Sequence, residues 1–282
     1  MCFRLVTPNP IAAQKPAWDL LLLILLSLLL PGCHSTSKHT APETFRVITY
    51  NIHHGEGLDG KIDLLRIAQV IQRERADIVA LQEVDKGVER TARRDLPEEL
   101  AGLTGLTCVF SNNFHYQGGE YGNAVLTRFP IARSTNTHYQ MIRSGEQRGL
   151  LQLVLDVRSH ALVFMTTHID YRQDDSERLL NVSELQGIAK QYGSRPIILC
   201  GDFNDVPGSR THSKLKEKFD DPWELVGQGE GFTYPADKPH KRIDYIWISK
   251  DKSVAPLKLW VAHSDASDHL PLVGEFAIRK SE

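Results

Sequence analysis

From residue 45 onward the chain alternates short apolar runs with polar breaks, and the period of each run assigns an element. FRVITYNI, at 45–52, has the two-residue alternation of a strand. IDLLRIAQVIQRER, at 62–75, instead puts Leu64, Ile67, Ala68 and Ile71 on one face of a helix. DIVALQEV reads as a short buried strand, and GNAVLTR, LLQLVLDV, ALVFMTTHI, PIILCGDF, RIDYIWIS and LKLWVAH read as further strands. Only Arg158, Ser159 and His160 separate the runs at 150–157 and 161–168, which predicts a hairpin. Further helices are predicted at 95–104, 176–192 and 210–218. Strands outnumber helices, so a sheet wound with one helix per strand fits poorly.

The first 33 residues follow another pattern. A weakly basic start with Arg4 and Lys15 leads into the apolar run Leu20 to Leu30 and then Pro31, Gly32 and Cys33. This is the layout of a secretory signal, and the run is about half the roughly 20 residues a spanning helix needs. Leu30-Pro31-Gly32-Cys33 also resembles a bacterial lipobox, in which Cys33 becomes the lipidated first residue. The expected division is therefore a signal peptide with lipobox at 1–33, a polar flexible linker at 34–44 and one catalytic domain at 45–282. The expected location is the periplasmic or outer face of a membrane, or the exterior if Cys33 carries no lipid.

Composition narrows the class only slightly. The 282 residues, 41% hydrophobic and 24% charged, can build one substantial core. The formal charge of −2 becomes about −3 once Arg4, Lys15 and Asp19 leave with the signal, so no basic footprint points to a polynucleotide. Of the four cysteines, Cys2 leaves with the signal and Cys33 belongs to the lipobox. Cys108 and Cys200 sit in apolar runs and are expected as buried free thiols; a bridge between them would need Cα atoms within about 7 Å.

Chemistry enters with the polar residues at the ends of the strand candidates: Asn51, Glu83, His168, Asp202, Asn204, Asp244, Asp268 and His269. Ionisable groups are costly inside strands unless paired or hydrated, so their recurrence at strand ends suggests one shared rim. Carboxylates and amides offer the oxygen ligands that Mg²⁺ prefers, and histidines can donate to a phosphate. Singly, each residue is as well explained by a cap, a turn or a structural histidine. The case rests on their conjunction. His53 and His54 follow Asn51, and on a continuing strand only one of them could face the cleft.

TYNIHHG, LQEVD, YGNAVLTRFP, TTHID, GDFNDVPGS, RIDYIW and SDHLPL, in that order, resemble the endonuclease/exonuclease/phosphatase superfamily, which includes deoxyribonuclease I, abasic-site endonucleases, sphingomyelinases and inositol-polyphosphate 5-phosphatases. The resemblance implies an α+β fold, a four-layer α/β/β/α sandwich of two mostly antiparallel sheets flanked by helices. It implies Glu83 as the principal metal ligand, with Asn51 and Asp268 completing or steering the site, and Mg²⁺ as the ion, with Mn²⁺ as an alternative. Asp202 would orient or deprotonate the attacking water, and Asn204 would hold the phosphate. His269, paired with Asp244, would bond a non-bridging oxygen, with His168 on the other side. Arg148 and Asn123, before or within strands bordering the site, are the candidate substrate-binding residues. Where His53 stands, abasic-site endonucleases commonly carry an acidic residue.

TTHID sides with the deoxyribonuclease, sphingomyelinase and phosphoinositide branches, and export argues against genomic repair. The leading expectation is a monomeric exported metal-dependent phosphoesterase, attacking a small organic phosphate, a lipid headgroup or scavenged nucleic acid with activated water. The alternatives are an extracellular nuclease of the deoxyribonuclease I type and a catalytically inactive binding module on the same fold. If a histidine must be protonated to meet the phosphate, activity falls in alkali; if Asp202 must be ionised, it falls in acid.

Overall fold

A computed structural model describes residues 44–278. The expected signal, lipobox and nearly all of the linker therefore lie outside the described residues, and Thr44, expected in the linker, already belongs to the first strand. In chain order the strands are β1 (Thr44–Asn51), β2 (Ile78–Lys86), β3 (Thr107–Tyr116), β4 (Gly119–Thr127), β5 (Ile131–His138), β6 (Gly149–Val157), β7 (His160–His168), β8 (Ile197–Asp202), β9 (Phe219–Asp220), β10 (Asp244–Ser249), β11 (Val254–Val261) and β12 (Leu272–Ile278). The helices are α1 (Leu64–Arg73), α2 (Leu96–Thr104), α3 (Ser176–Lys190), α4 (Arg210–Lys216) and the single turn α5 (Trp223–Val226).

Two six-stranded sheets result, ordered β11-β12-β1-β2-β4-β3 and β5-β6-β7-β8-β10-β9. Each is antiparallel except at its centre, where β1 runs parallel to β2 and β7 to β8. The two-residue strand period decides what covers each face. Phe45, Val47, Ile78 and Ala80 meet Leu151, Leu153, Phe164 and Ile198 between the sheets. Their neighbours Ile48, Tyr50, Val79 and Leu81 face outward onto α1 and α2. Met165, Leu199 and Trp247 face outward onto α3 and α4. With both faces covered, the central strands read as near-continuous apolar runs, and the α/β/β/α order expected from the resemblance is the order observed.

Several boundaries move. β3, β5, β9 and β12 were not among the predicted strands, and the predicted strand GNAVLTR starts earlier, at Gly119. A side chain at Gly122 would place its Cβ 1.9 Å from the Ser111 carbonyl oxygen, so close β3–β4 pairing requires glycine there. Arg158 and Ser159 form the predicted hairpin turn with φ of 54° and 70°. Cys108 and Cys200 are both free thiols, as expected, although only Cys200 is buried and Cys108 is half-buried. Among the described residues no helix is long and apolar enough to cross a membrane.

Candidate active site

Both parallel strand pairs end at the same rim. In the second sheet His168 is registered beside Asp202, and Asp202 beside Asp244, so three adjacent strands deliver three polar side chains in one row. In the first sheet Asn51 is registered beside Gln82, and Glu83 follows in a bulge between Leu81 and Val84. The bulge re-aims Glu83 toward the rim, and its φ of 59°, unusual for a side-chain-bearing residue, is the local cost. Asn204 is likewise held at φ 49°. Gln82 fixes the sheets against each other here, since its amide donates to Thr49 Oγ1 at 3.2 Å and across the sandwich to Thr166 Oγ1 at 3.0 Å.

Asn51 is the hub. Its amide donates to Glu83 Oε1 at 2.9 Å and to Asp202 Oδ2 at 3.2 Å, while its oxygen accepts from the His53 backbone at 3.0 Å. The amide orientation is thereby fixed, and Asn51 acts on the expected metal site by steering two carboxylates. His53 and His54 lie in a 3₁₀ turn with φ of 44° and 46°, so strand alternation does not apply to them as expected. His54 is buried against Glu56 at 3.4 Å, and His53 lies 3.9 Å from Asp268. Neither lines the cleft.

The SDHLP loop is tied to the end of β1 by Ser267, whose hydroxyl donates to the Asn51 carbonyl at 2.7 Å and accepts from the His269 backbone at 3.2 Å. His269 Nδ1 faces Asp244 Oδ2 at 2.9 Å, and its Nε2 faces Asp202 Oδ2 at 3.7 Å. Burial opposes charge on this ring, but Asp244 and then Asp202 outweigh it and push His269 up to about 10. His269 is an imidazolium at neutral pH. Burial and then Asp244 raise Asp202 to about 7, although His269 pulls it down.

His168 goes the other way. Burial, then Arg148 and His269, hold it well below the ordinary histidine range, so it is neutral. Of the two histidines considered as protonated donors, only His269 carries the charge. The Asn204 amide donates to the Ile169 carbonyl at 3.1 Å, which fixes its orientation, and it therefore also donates to His168 Nε2 at 3.0 Å. The ring proton consequently sits on Nδ1, which is buried without a hydrogen bond 4.0 Å from Glu83 Oε1. Arg178 of α3, 5% exposed, pins these loops together through the Asp170 carbonyl at 3.3 Å, the Arg172 carbonyl and Asp205 Oδ2 at 3.3 Å.

These residues open onto a cleft of about 730 Å³. Glu83, His168, Asp202, Asn204, Asp268, His269 and Arg148 line it; Asn51 and Asp244 stand directly behind. Asn123, expected to touch substrate, does not line it: the side chain is 1% exposed and points to the Gly149 carbonyl at 3.4 Å. Its same-face neighbour Tyr121 forms the wall instead. Sequence reading missed Arg90, Glu146, Tyr234 and Lys241, which also line the cleft. Glu146 pairs with Arg148 at 2.9 Å, and Tyr234 packs its ring 4.8 Å from that of His269. Arg90 sits in a 3₁₀ turn, Glu146 in a bend, and Tyr234 and Lys241 face each other in an isolated bridge, all too short for a period to mark.

The donor set fits a hard divalent cation at Glu83, since carboxylate oxygens of Glu83 and Asp268 face one cleft and an unsatisfied buried His168 N–H points toward Glu83. Among the described residues a second acidic and histidine group, His212, Asp221 and Glu224, lies away from the cleft.

The sequence model of the Endonuclease/Exonuclease/phosphatase family matches residues 48–269, and the protein belongs to this family, whose members are divalent-metal-dependent hydrolases of phosphoesters. An uncharacterized Escherichia coli protein, YbhP, is 28% identical over 247 residues, covering 82% of this chain and 96% of its own. An endonuclease/exonuclease/phosphatase of Beutenbergia cavernae superposes with a TM-score of 0.70 at 24% identity, over 83% of this chain and 72% of its own. A mannosyl-6-phosphatase of Bacteroides thetaiotaomicron shares the fold with a TM-score of 0.70 at 18% identity, over 83% of this chain and all of its own.

Proposed function

We propose that this protein is an exported phosphoesterase, dependent on Mg²⁺ or Mn²⁺, that cleaves a small phosphodiester or phosphomonoester by direct attack of water. One observation carries the reading: Asn51, Glu83 and, from the β11–β12 loop, His269 of one sheet and His168, Asp202, Asn204 and Asp244 of the other meet at one cleft. A cation held by Glu83 and Asp268 would neutralise phosphoryl oxygens and the developing alkoxide. Asp202, with one oxygen fixed by the Asn204 backbone at 2.9 Å, orients the water and takes its proton. His269, locked by Asp244, presents a charged Nε2–H to a non-bridging oxygen, and neutral His168 presents Nδ1–H to another. Asn204 gives both amide hydrogens to the Ile169 carbonyl and to His168 Nε2, so its part is to fix the His168 ring beside the phosphate. No covalent enzyme intermediate is needed.

The purified protein should hydrolyse bis-p-nitrophenyl phosphate or a p-nitrophenyl monoester with Mg²⁺ or Mn²⁺, lose that activity in EDTA and regain it on adding the metal back. Plasmid DNA and RNA in parallel should be cut slowly, because the near-neutral charge offers little phosphate-tracking surface. Robust nucleic-acid cleavage at physiological salt would favour the secreted nuclease. Hydrolysis indifferent to EDTA would remove the metal from the reading.

Export is proposed on the Leu20–Leu30 run and on Gly32-Cys33, which support a lipid on Cys33 and an enzyme held at a membrane surface facing outward. Labelled fatty acid should enter the wild type and not Cys33→Ser in a bacterial host. Equal labelling of both, or of neither, overturns the anchor.

A further inference from the structure

One wall of the cleft, the β3–β4 hairpin, has no part in the reaction just described. It is aromatic. A bulge between Asn112 and Phe114 sets the register that brings Phe114 and Tyr116 onto the cleft side, and Tyr121 lines the cleft from β4. Phe114 and Tyr116 stack with ring centroids 6.2 Å apart and planes inclined by 27°. The Arg90 guanidinium lies 5.0 Å from the Tyr116 ring and 5.4 Å from the Tyr121 ring. We propose that this wall is the subsite for the alcohol side of the ester, selecting a leaving group that carries a six-membered ring whose flat face stacks on Phe114 and Tyr116. The inference rests on the phosphoesterase reading above and adds the class of substrate to it.

Rings that merely filled the fold would be buried, yet Tyr116 is 36% exposed. The wall is nonetheless held rigid. Arg90 makes two bonds of 2.8 Å to Asp85, which is fully buried, and the Arg90 backbone donates to Gln117 Oε1 at 3.0 Å, tying the hairpin turn to the same anchor. A platform fixed before the ligand arrives loses little freedom on binding. Position follows from the register. Phe114 pairs beside Tyr121, and Tyr121 beside Asp85, two residues after Glu83 on β2, so the platform stands across two strand spacings, on the order of 10 Å, from the strand that supplies Glu83, on the same cleft.

Charge argues for a small ring over a nucleic-acid strand. Asp85 neutralises Arg90, and Glu146 neutralises Arg148, so the wall and its neighbour offer stacking without a net positive track. An aromatic ring and a sugar ring share the required flat face, and both are tested.

Benzyl phosphate, glucose 6-phosphate and glycerol 3-phosphate are all esters of a primary alcohol, so they differ in the ring and little in leaving-group chemistry. Each would be assayed as monoester and methyl diester with Mg²⁺. The expected result is a kcat/KM for at least one ring ester about tenfold above the glycerol ester, since stacking on a protein ring is worth about that factor. Preference for the benzyl ester assigns an aromatic leaving group, and for the glucose ester a sugar. The preference should fall below threefold in Tyr116→Leu and Phe114→Leu and persist in Tyr116→Phe. Circular dichroism checks that each variant is folded. Hydrolysis without ring preference, or a preference that survives both leucine variants, overturns the subsite while leaving the phosphoesterase reading intact. Hydrolysis of none of the six esters overturns the subsite, and failure on bis-p-nitrophenyl phosphate as well overturns both.

Discussion

Asp202→Asn should lower kcat/KM by on the order of 10³-fold or more while leaving a folded protein, because the substitution removes the proton acceptor and little else. The side chain is 1% exposed, and its oxygens accept from the Asn204 backbone at 2.9 Å and from Asn51 Nδ2 at 3.2 Å. In either orientation an asparagine turns one of these contacts into donor against donor, a cost of about 1–3 kcal/mol, partly offset by removing a buried charge. His269→Ala should fall comparably, and the double variant little further, since the two act on one transition state. The pH–rate profile carries the same information. Burial and Asp244 raise Asp202 to about 7, and only its ionised form accepts a proton, so activity should fall as pH drops through that value. His269, pushed up to about 10, keeps its proton, so the rate should stay flat toward pH of about 9. A loss under tenfold in Asp202→Asn, or a profile falling on the alkaline side near pH 7, would remove these assignments.

How much of this could be read from the chain depended on the physics of each part. Strands buried on both faces, such as β2, β7 and β8, announce themselves as apolar runs, and the polar residues that end them are conspicuous by contrast. Hence Glu83, His168 and Asp202 were legible, and Asp244 opening β10 was too. Of the edge strands β11 was legible, but β3 and β5 were not. β5, IARSTNTH, pairs on one side only and is half exposed, and β3 ends in SNNFHY, so neither shows an apolar period. That second failure hid the aromatic wall, because Phe114 and Tyr116 look like loop residues without their strand. Asn123 shows the opposite error. Its position beside the site was right, but a hydrogen bond to the Gly149 carbonyl turned the side chain into the structure. His53 and His54 both stay out of the cleft, within the limit of one that strand alternation set, but for a local reason: the chain leaves the β-region just after Asn51, which no hydrophobic period could reveal.

Asp221→Ala should cost about 3–5 kcal/mol of stability, read as a lower urea midpoint, without any direct effect on the cleft. Asp221 is 3% exposed and joins three partners: the Arg242 guanidinium at 2.8 Å, His212 Nε2 at 3.2 Å and the Trp223 backbone at 3.0 Å. Arg242, 4% exposed with its guanidinium 4.6 Å from the Tyr245 ring, would be left as an uncompensated buried cation beside β10. The double variant Asp221→Leu with Arg242→Met should recover much of the loss, since a buried pair replaced by apolar groups is often neutral. Burial favours the neutral Asp221 carboxyl, but His212 and Arg242 outweigh it and hold the group below the usual carboxylate range. A depressed native value means that this stabilisation is complete at neutral pH and is lost only as pH falls through that lowered value. The same geometry accounts for the His212, Asp221 and Glu224 group as an ion-pair network, with Glu224 already bonded to Lys216 at 2.6 Å and 2.8 Å. EDTA should therefore abolish activity and lower the urea midpoint only through loss of the cation at Glu83, leaving the midpoint of Glu83→Gln unchanged. A midpoint of Glu83→Gln that drops with the chelator would make this group a structural metal site, and a cost below about 1 kcal/mol for Asp221→Ala would show that the arginine finds water or another partner.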